Sequence, residues 1–90
     1  MNTEKFVHYE VTAGPENIVQ IKLDRRANVR FMDAVNFNKY KLGKEYEFDG
    51  GLALESPVEF RPEYRRKWHV CVDMRGLKGE VKVALKVLSC

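Results

Sequence analysis

Three side chains that could do chemistry fall on one side of a single predicted strand. His69, Cys71 and Asp73 occupy every second position, and in a strand such residues point to the same face. Zinc binds these ligand types, and a histidine beside a cysteine can activate a thiolate nucleophile. A zinc site usually needs a fourth ligand, however, and only His8 and Cys90 add another histidine or cysteine. We therefore expect no metal and no cofactor, and an outward face on which the cysteine packs as a semi-buried small residue.

Other catalytic patterns are not found in the sequence. Neither Ser56 nor Ser89 lies in a G-x-S-x-G turn. The G-x-x-G spacing from Gly76 to Gly79 is that of a phosphate-clamping loop in one RNA-binding module, but that loop lies between helices. Strands are predicted on both sides here. We therefore expect a protein that is not an enzyme.

A basic segment offers a different kind of site. The segment Arg61 to Lys67 contains four basic residues and one acid, Glu63, so its local charge equals the whole chain's net charge of +3. Its cations could pair with phosphates, and Tyr64 could stack on a base. The alternative is a solvated loop that aids solubility. Trp68, which follows it, fits the strand pattern and is expected in the core.

A third group of polar residues precedes the only predicted helix. Arg30 and Asp33 could form a local ion pair, or Asp33 could cap the helix while Arg30 offers its guanidinium to a carboxylate ligand. Depending on strand order, Asn28, Arg30, His69 and Asp73 could also meet in a shallow pocket.

Apolar and polar residues alternate along most of the chain, a pattern typical of half-buried strands. The alternation predicts about seven strands, which cover Phe6 to Val11, Ile18 to Asp24, Asn28 to Met32, Glu45 to Asp49, Val58 to Arg61, Trp68 to Asp73 and Glu80 to Leu88. Gly50 and Gly51 are expected to end the fourth strand. Pro62 marks the fifth as an edge strand or a strand end, because proline cannot donate to a ladder. The glycines between Met74 and Gly79 predict a tight hairpin between the last two strands.

One segment lacks this alternation. Phe37 and Tyr40 have helical spacing, which predicts a short helix or helical turn at 33–42. Asp33 can cap its start, with Asn36 as the alternative N-cap one turn later, and Gly43 can cap its end. Because each sheet must bury its apolar face, we expect a mainly β fold, either a two-layer antiparallel sandwich or an open barrel.

Composition places further bounds on the protein. Its 90 residues show no repeat and no linker, which predicts a single domain over residues 1–90. No apolar stretch approaches the ~20 residues of a membrane span, and no signal peptide is recognisable. Two cysteines are few for a disulfide scaffold. We expect a reduced, cytoplasmic protein without membrane contact, and homo-oligomers stay open.

Several short motifs together resemble a known family. They are Asn28-Val29-Arg30-x-Met32-Asp33-x-x-Asn36-Phe37-x-x-Tyr40-Lys41-x-Gly43, Gly50-Gly51-x-Ala53, Ser56-Pro57-Val58 and Trp68-His69-Val70-x-Val72-Asp73-x-x-Gly76-x-x-Gly79-x-Val81. This pattern, from about Phe6 to Leu88, is similar to the bacterial domain of unknown function 1883 (DUF1883). The resemblance implies a small, mostly β domain, sometimes found beside TIR-type domains, and suggests a sensing or interaction role. It implies no catalytic residue.

Two functional hypotheses follow. The first is a small non-catalytic binding or interaction module of sensor type, whose partner is another protein or a small ligand. The alternative is a nucleic-acid or nucleotide-phosphate binder that uses the Arg61–Lys67 loop. The candidate contact residues are Arg30, Asp33, Tyr64, Arg65, Arg66, Lys67 and His69.

Overall fold

The computed structural model describes residues 6–74 and 79–89 of the chain. Within these residues the chain forms seven strands and one helix. In chain order they are β1 (Phe6–Ala13), β2 (Asn17–Leu23), β3 (Ala27–Asp33), α1 (Ala34–Lys41), β4 (Asp49–Ala53), β5 (Val58–Phe60), β6 (Arg66–Asp73) and β7 (Val83–Ser89). The predicted mainly β fold is confirmed.

The strands form two antiparallel sheets. The first sheet has the strand order β1-β6-β3-β4, and the second has the order β5-β2-β7. Every neighbouring pair is antiparallel, and β5 is an edge strand, as Pro62 indicates. The two sheets share no strand and enclose one core, so the architecture is the sandwich.

Small branched side chains fill the space between the sheets. Val19 and Ile21 come from the second sheet, while Val29, Val70 and Val72 come from the first, and each is at most 1% exposed. They occupy the alternate positions that the sequence assigns to the buried face. Burial of one such side chain contributes about 1.5–3 kcal/mol, so these residues account for much of the folding free energy.

The helix α1 covers the opposite face of the first sheet. Asp33 caps it, because its Oδ1 accepts a hydrogen bond of 2.9 Å from the backbone N–H of Asn36. At the other end Gly43 has a φ of +74°, and its N–H donates to the carbonyl oxygen of Tyr40. Both predicted caps are confirmed. The buried residue of the helix is Phe37, which packs with Met32 and Cys71.

The fourth strand lies later in the chain than the sequence predicts. The segment predicted as a strand, Glu45 to Asp49, is irregular except for its last residue, and β4 continues through Gly50 and Gly51 instead of ending there. Gly50 has a φ of +109°, and a Cβ at this position would lie 2.2 Å from the carbonyl oxygen of Val29. Glycine here permits close approach of β3 within the sheet, so the prediction that it ends the strand is wrong.

The predicted hairpin between the last two strands is also wrong. β6 pairs with β1 and β3 in the first sheet, whereas β7 pairs with β2 in the second. The chain after Met74 therefore crosses from one sheet to the other, and residues 75–78 of the predicted hairpin loop lie outside the described residues. Alternation specifies which residues share a face, but it does not specify which strand is the neighbour.

In the described part of the chain, no helix has the length and apolar character needed to cross a membrane.

Candidate functional site

The face of the first sheet that packs against α1, here called the helix-side face, holds His69, Cys71 and Asp73. Their exposed fractions are only 6%, 0% and 6%. The prediction that they form an outward face is therefore wrong, because α1 and the segment after it cover this side of the sheet. Burial raises the pKa of the Cys71 thiol to about 12, so it stays a neutral thiol at physiological pH. Within the described ranges, no group of three or more histidine, cysteine or acidic residues is arranged to hold a metal ion.

His69 is part of a pair of imidazoles. The Nδ1 atom of His69 lies 2.8 Å from the Nε2 atom of His8, which comes from the edge strand β1. The Phe37 ring stacks against both imidazoles, with centroid distances of 4.2 Å to His8 and 4.3 Å to His69. Sequence reasoning missed this pairing. The contact between the two imidazoles depends on β1 being the neighbour of β6, which puts His8 opposite Cys71. The alternation of apolar and polar residues does not show which strands are neighbours.

An open groove of about 660 Å³ lies beside this pair and is here called the imidazole groove. Its lining residues are His8, Glu10, Ala34, Phe37, Asn38, Lys41, Lys67 and His69. Desolvation by burial lowers the pKa of both histidines. His8 is the next cause that lowers the pKa of His69, Lys41 lowers both pKa values, and Glu10 opposes the shift. Both imidazoles are therefore mainly neutral at pH 7.

Arg30 and Asp73 form an ion pair at the opposite end of the helix-side face. The Nη1 atom of Arg30 contacts the Asp73 carboxylate, and Asn28 donates to the same carboxylate at 3.0 Å. The guanidinium lies 5.5 Å from the Phe48 ring centroid, and its buried Nε atom has no hydrogen-bond partner in the described part. The predicted meeting of Asn28, Arg30 and Asp73 is therefore observed, and His69 shares their face but pairs with His8. The local ion pair considered between Arg30 and Asp33 is not formed, because residues three positions apart in a strand face opposite sides.

Asp33, Tyr64 and Arg66 meet at one end of the sandwich, in a pocket of about 230 Å³ here called the end pocket. Its lining residues are Phe31, Met32, Asp33, Asn36, Glu47, Phe48, Asp49, Glu63, Tyr64, Arg66 and Trp68. Four of these are acidic and one is basic, so the lining has a formal charge of −3. Arg66 lies 5.4 Å from the Tyr64 ring centroid and forms an ion pair of 3.3 Å with Asp33.

The predicted basic loop does not act as one patch. Its last two residues, Arg66 and Lys67, begin β6, and their side chains point to opposite faces of the first sheet. Arg65 forms an ion pair with Glu16, and Lys67 lies 3.5 Å from Glu10. Acids that are distant in sequence therefore offset the local excess of positive charge. The seven predicted contact residues are consequently divided among the end pocket, the imidazole groove, the Arg30–Asp73 pair and the Arg65–Glu16 pair.

Trp68 is held between the core and the end pocket. Its ring stacks on Phe31 at 4.9 Å, and its Nε1–H donates to the carbonyl oxygens of Ala13 at 3.1 Å and Tyr64 at 3.3 Å. It packs against the core as predicted but is only partly buried. The indole therefore links the loop that carries Tyr64 to the sheet.

The architecture defines a small antiparallel β-sandwich with one capped helix and a polar face beneath that helix. The chain belongs to the family described as Domain of unknown function (DUF1883), whose model matches residues 4–90. No curated protein and no solved structure matched the chain.

Proposed function

We propose that this protein is a non-catalytic binding module that docks a basic segment of another protein at the end pocket. The observation that carries the proposal is the formal charge of −3 on the pocket lining. Carboxylates gathered around a small concave site attract lysine and arginine side chains and repel phosphates. The proposal gives the protein an interaction role of the kind that the sequence suggests, with a cationic partner.

Three of the pocket carboxylates are available to a partner. Glu47, Asp49 and Glu63 form no ion pair within the described residues, whereas Asp33 is engaged by Arg66. Exposed charges of this kind contribute little each, typically 0.2–1 kcal/mol as single pairs. Together they orient a charged partner and accelerate its association.

Aromatic side chains supply the apolar part of the surface. Tyr64 is 60% exposed and Phe48 is 41% exposed, and both line the pocket beside Trp68. Tyrosine, tryptophan and arginine are enriched among residues that dominate protein–protein binding energy. The pocket volume of about 230 Å³ is smaller than the roughly 300–1,000 Å³ of sites for drug-sized ligands. It therefore suits a single long side chain better than a cofactor.

The alternative, a nucleic-acid or nucleotide-phosphate binder at the Arg61–Lys67 segment, has weaker support. Arg65, Arg66 and Lys67 each lie beside an acid. A phosphate bound by Arg65 or Arg66 would have to displace Glu16 or Asp33, and beside Arg66 it would approach the acidic end pocket. The cytoplasmic location and the sensor-type role stay predictions from the sequence.

Fluorescence anisotropy tests the proposal with three labelled probes: a lysine-rich peptide, a glutamate-rich peptide and a single-stranded oligonucleotide. We expect saturable binding of the lysine-rich peptide alone, with affinity that falls as salt is raised. The double substitution Glu47→Gln/Glu63→Gln should weaken binding by about 10-fold, which corresponds to ~1.4 kcal/mol. The matched control is Glu55→Gln, which removes an exposed carboxylate outside the pocket and should leave binding unchanged. Binding of the oligonucleotide in preference to the basic peptide would contradict the proposal.

A further inference from the structure

The imidazole groove has no part in docking at the end pocket, yet it gathers titratable groups from three elements. His8 and Glu10 come from β1, Lys67 and His69 from β6, and Lys41 from α1. Polar groups in a buried cluster are almost always hydrogen-bonded. This one faces a groove of about 660 Å³, and the outer ring nitrogens, Nδ1 of His8 and Nε2 of His69, have no hydrogen-bond partner in the part of the chain that the structure describes.

The contact between the two rings specifies how the pair takes up a proton. Of the two nitrogens 2.8 Å apart, one must carry the hydrogen and the other must accept it. When His69 is doubly protonated, its Nδ1–H donates to Nε2 of His8, and its Nε2–H becomes a charged donor. Only a neutral His8 can accept this hydrogen, because a charged His8 lowers the pKa of His69. The pair therefore takes up a single proton, while the other side of the His69 ring stays available to a ligand.

The surrounding charges favour an anion over a cation. Lys41 and Lys67 against Glu10 leave the groove lining with a formal charge of +1 while the histidines are neutral. Lys41 lies 4.8 Å from the Phe37 ring centroid and has no ion pair in the described residues, and Lys67 is only 3.5 Å from Glu10. Two ammonium groups beside the imidazoles oppose a metal ion electrostatically, and protonation of His69 would raise the charge to +2.

We propose that the imidazole groove binds an oxyanion of the phosphate-monoester class between Lys41 and Lys67, with Nε2–H of His69 donating to it. Such a group carries a charge of about −1.5 to −2 at pH 7 and has three acceptor oxygens. It therefore matches two ammonium groups and one imidazolium N–H. In this arrangement His8 is a positioning residue, because it acts on the anion through His69.

Binding is coupled to protonation. The bound anion favours the imidazolium form, so phosphate must raise the pKa of the histidine pair, and binding is accompanied by proton uptake. The other groups facing the pair are Glu10 on β1, Lys67 and Cys71 on β6, and Lys41 on α1, and β3 places Arg30 opposite Cys71. Cys71 stays a neutral thiol, so it does not contribute to this titration.

The test is a nuclear magnetic resonance titration of the two imidazole signals in the untagged chain, which has only two histidines. The probes are inorganic phosphate, a nucleoside 5′-monophosphate, acetate at matched ionic strength, and zinc chloride. We expect saturable shifts and a higher histidine pKa with the phosphates and neither with acetate. Stronger binding of inorganic phosphate would identify free phosphate as the ligand, and stronger binding of the nucleotide would identify a phosphate ester.

Single substitutions locate the site. Lys41→Gln and Lys67→Gln should each weaken phosphate binding about 10-fold, the effect of one charge-assisted contact. Lys86→Gln, on the outer face of β7, is the matched control and should have no effect. His8→Gln, at an exposed position that should tolerate the change, should weaken binding and also reduce the phosphate-induced pKa rise of His69. A purely structural role of His8 would leave that rise unchanged.

Three results would overturn the proposal. They are the absence of a saturable phosphate shift, equal binding in the Lys41→Gln/Lys67→Gln double variant, and saturation of the same signals by zinc but not by phosphate. Circular dichroism of each variant confirms that the fold is retained before affinities are compared.

Discussion

Gly50 lies so close to β3 that a Cβ atom there would be 2.2 Å from the carbonyl oxygen of Val29. It also has a φ of +109°, a backbone conformation that only glycine adopts without strain. The neighbouring Gly51 has a φ of +137° but no atom within 4 Å of its missing Cβ. Gly50 is therefore required for both steric and conformational reasons, whereas Gly51 is required for its backbone conformation alone.

We expect Gly50→Ala to lower the free energy of unfolding more than Gly51→Ala does. Strain in an unfavourable backbone region costs on the order of 1–3 kcal/mol, and Gly50→Ala adds the clash with β3. Urea unfolding followed by the fluorescence of Trp68, the single tryptophan, measures both variants. Equal losses would show that the clash is relieved by movement of β4, the edge strand.

Asp33→Ala should destabilise the protein by about 1 kcal/mol, within the 0.5–2 kcal/mol typical of N-cap losses. The reason is the lost hydrogen bond to the Asn36 N–H. Asp33→Ser should retain most of the stability, since serine is also a good cap. Arg66→Gln removes the ion pair with Asp33 and the exposed cation–π contacts with Tyr64 and Trp68 but leaves the cap in place, and it should cost about 1 kcal/mol or less. A loss in Asp33→Ser as large as that in Asp33→Ala would contradict the capping role, because serine retains the cap but not the charge.

Replacing one partner of the Arg30–Asp73 ion pair should lower the free energy of unfolding more than replacing both partners. Arg30→Met leaves a buried carboxylate with only part of its partners, and such changes typically cost 3–5 kcal/mol. Because Arg30 retains 15% exposure, we expect about 3 kcal/mol. Arg30→Met/Asp73→Leu should recover part of this loss in a double-mutant cycle. Additive losses would show that the two side chains are energetically independent.

Lowering the pH should reduce the free energy of unfolding, because the two histidines become protonated. Their pKa values are lowered in the folded protein, so the unfolded chain binds more protons between pH 6.5 and the folded pKa values. The stability that this difference contributes is therefore fully present above pH 6.5 and is lost as the pH falls through the folded pKa values. Urea midpoints at pH 7.5, 6.5 and 5.5 measure this loss, and His8→Gln should flatten the dependence. An unchanged slope in that variant would show that His8 does not contribute to the pH dependence.

Cys71 should react with a thiol reagent only after unfolding. Its side chain is fully buried, and burial raises its pKa to about 12, so the reactive thiolate is scarce. In a Cys90→Ser background, which leaves one cysteine, we expect no reaction at pH 8 without urea and one equivalent in urea. Rapid reaction of the native protein would show that α1 opens readily over the helix-side face.

The sequence predicted the features that depend on local chemistry. Alternation assigned Val19, Ile21, Val29 and Val70 to buried faces, because side chains in a strand point to opposite sides in turn. The caps at Asp33 and Gly43 were equally readable, since capping involves atoms only a few residues apart. Alternation failed at Gly50, where the need for glycine comes from β3, a strand distant in sequence.

The tertiary structure decided everything that depends on which strands are neighbours. The alternation of side chains along each strand does not specify the order of strands in a sheet. It therefore could not predict that His8 lies beside His69 or Asp73 beside Arg30. It also could not show that Glu10, Glu16 and Asp33 offset the basic segment, since Coulomb energies depend on distance in space and not on spacing in the chain. The sequence by itself therefore determined most of the elements and the strand faces that point into the core between the sheets. The tertiary structure decided the position of β4, the burial of the helix-side face, and the formation of the end pocket and the imidazole groove.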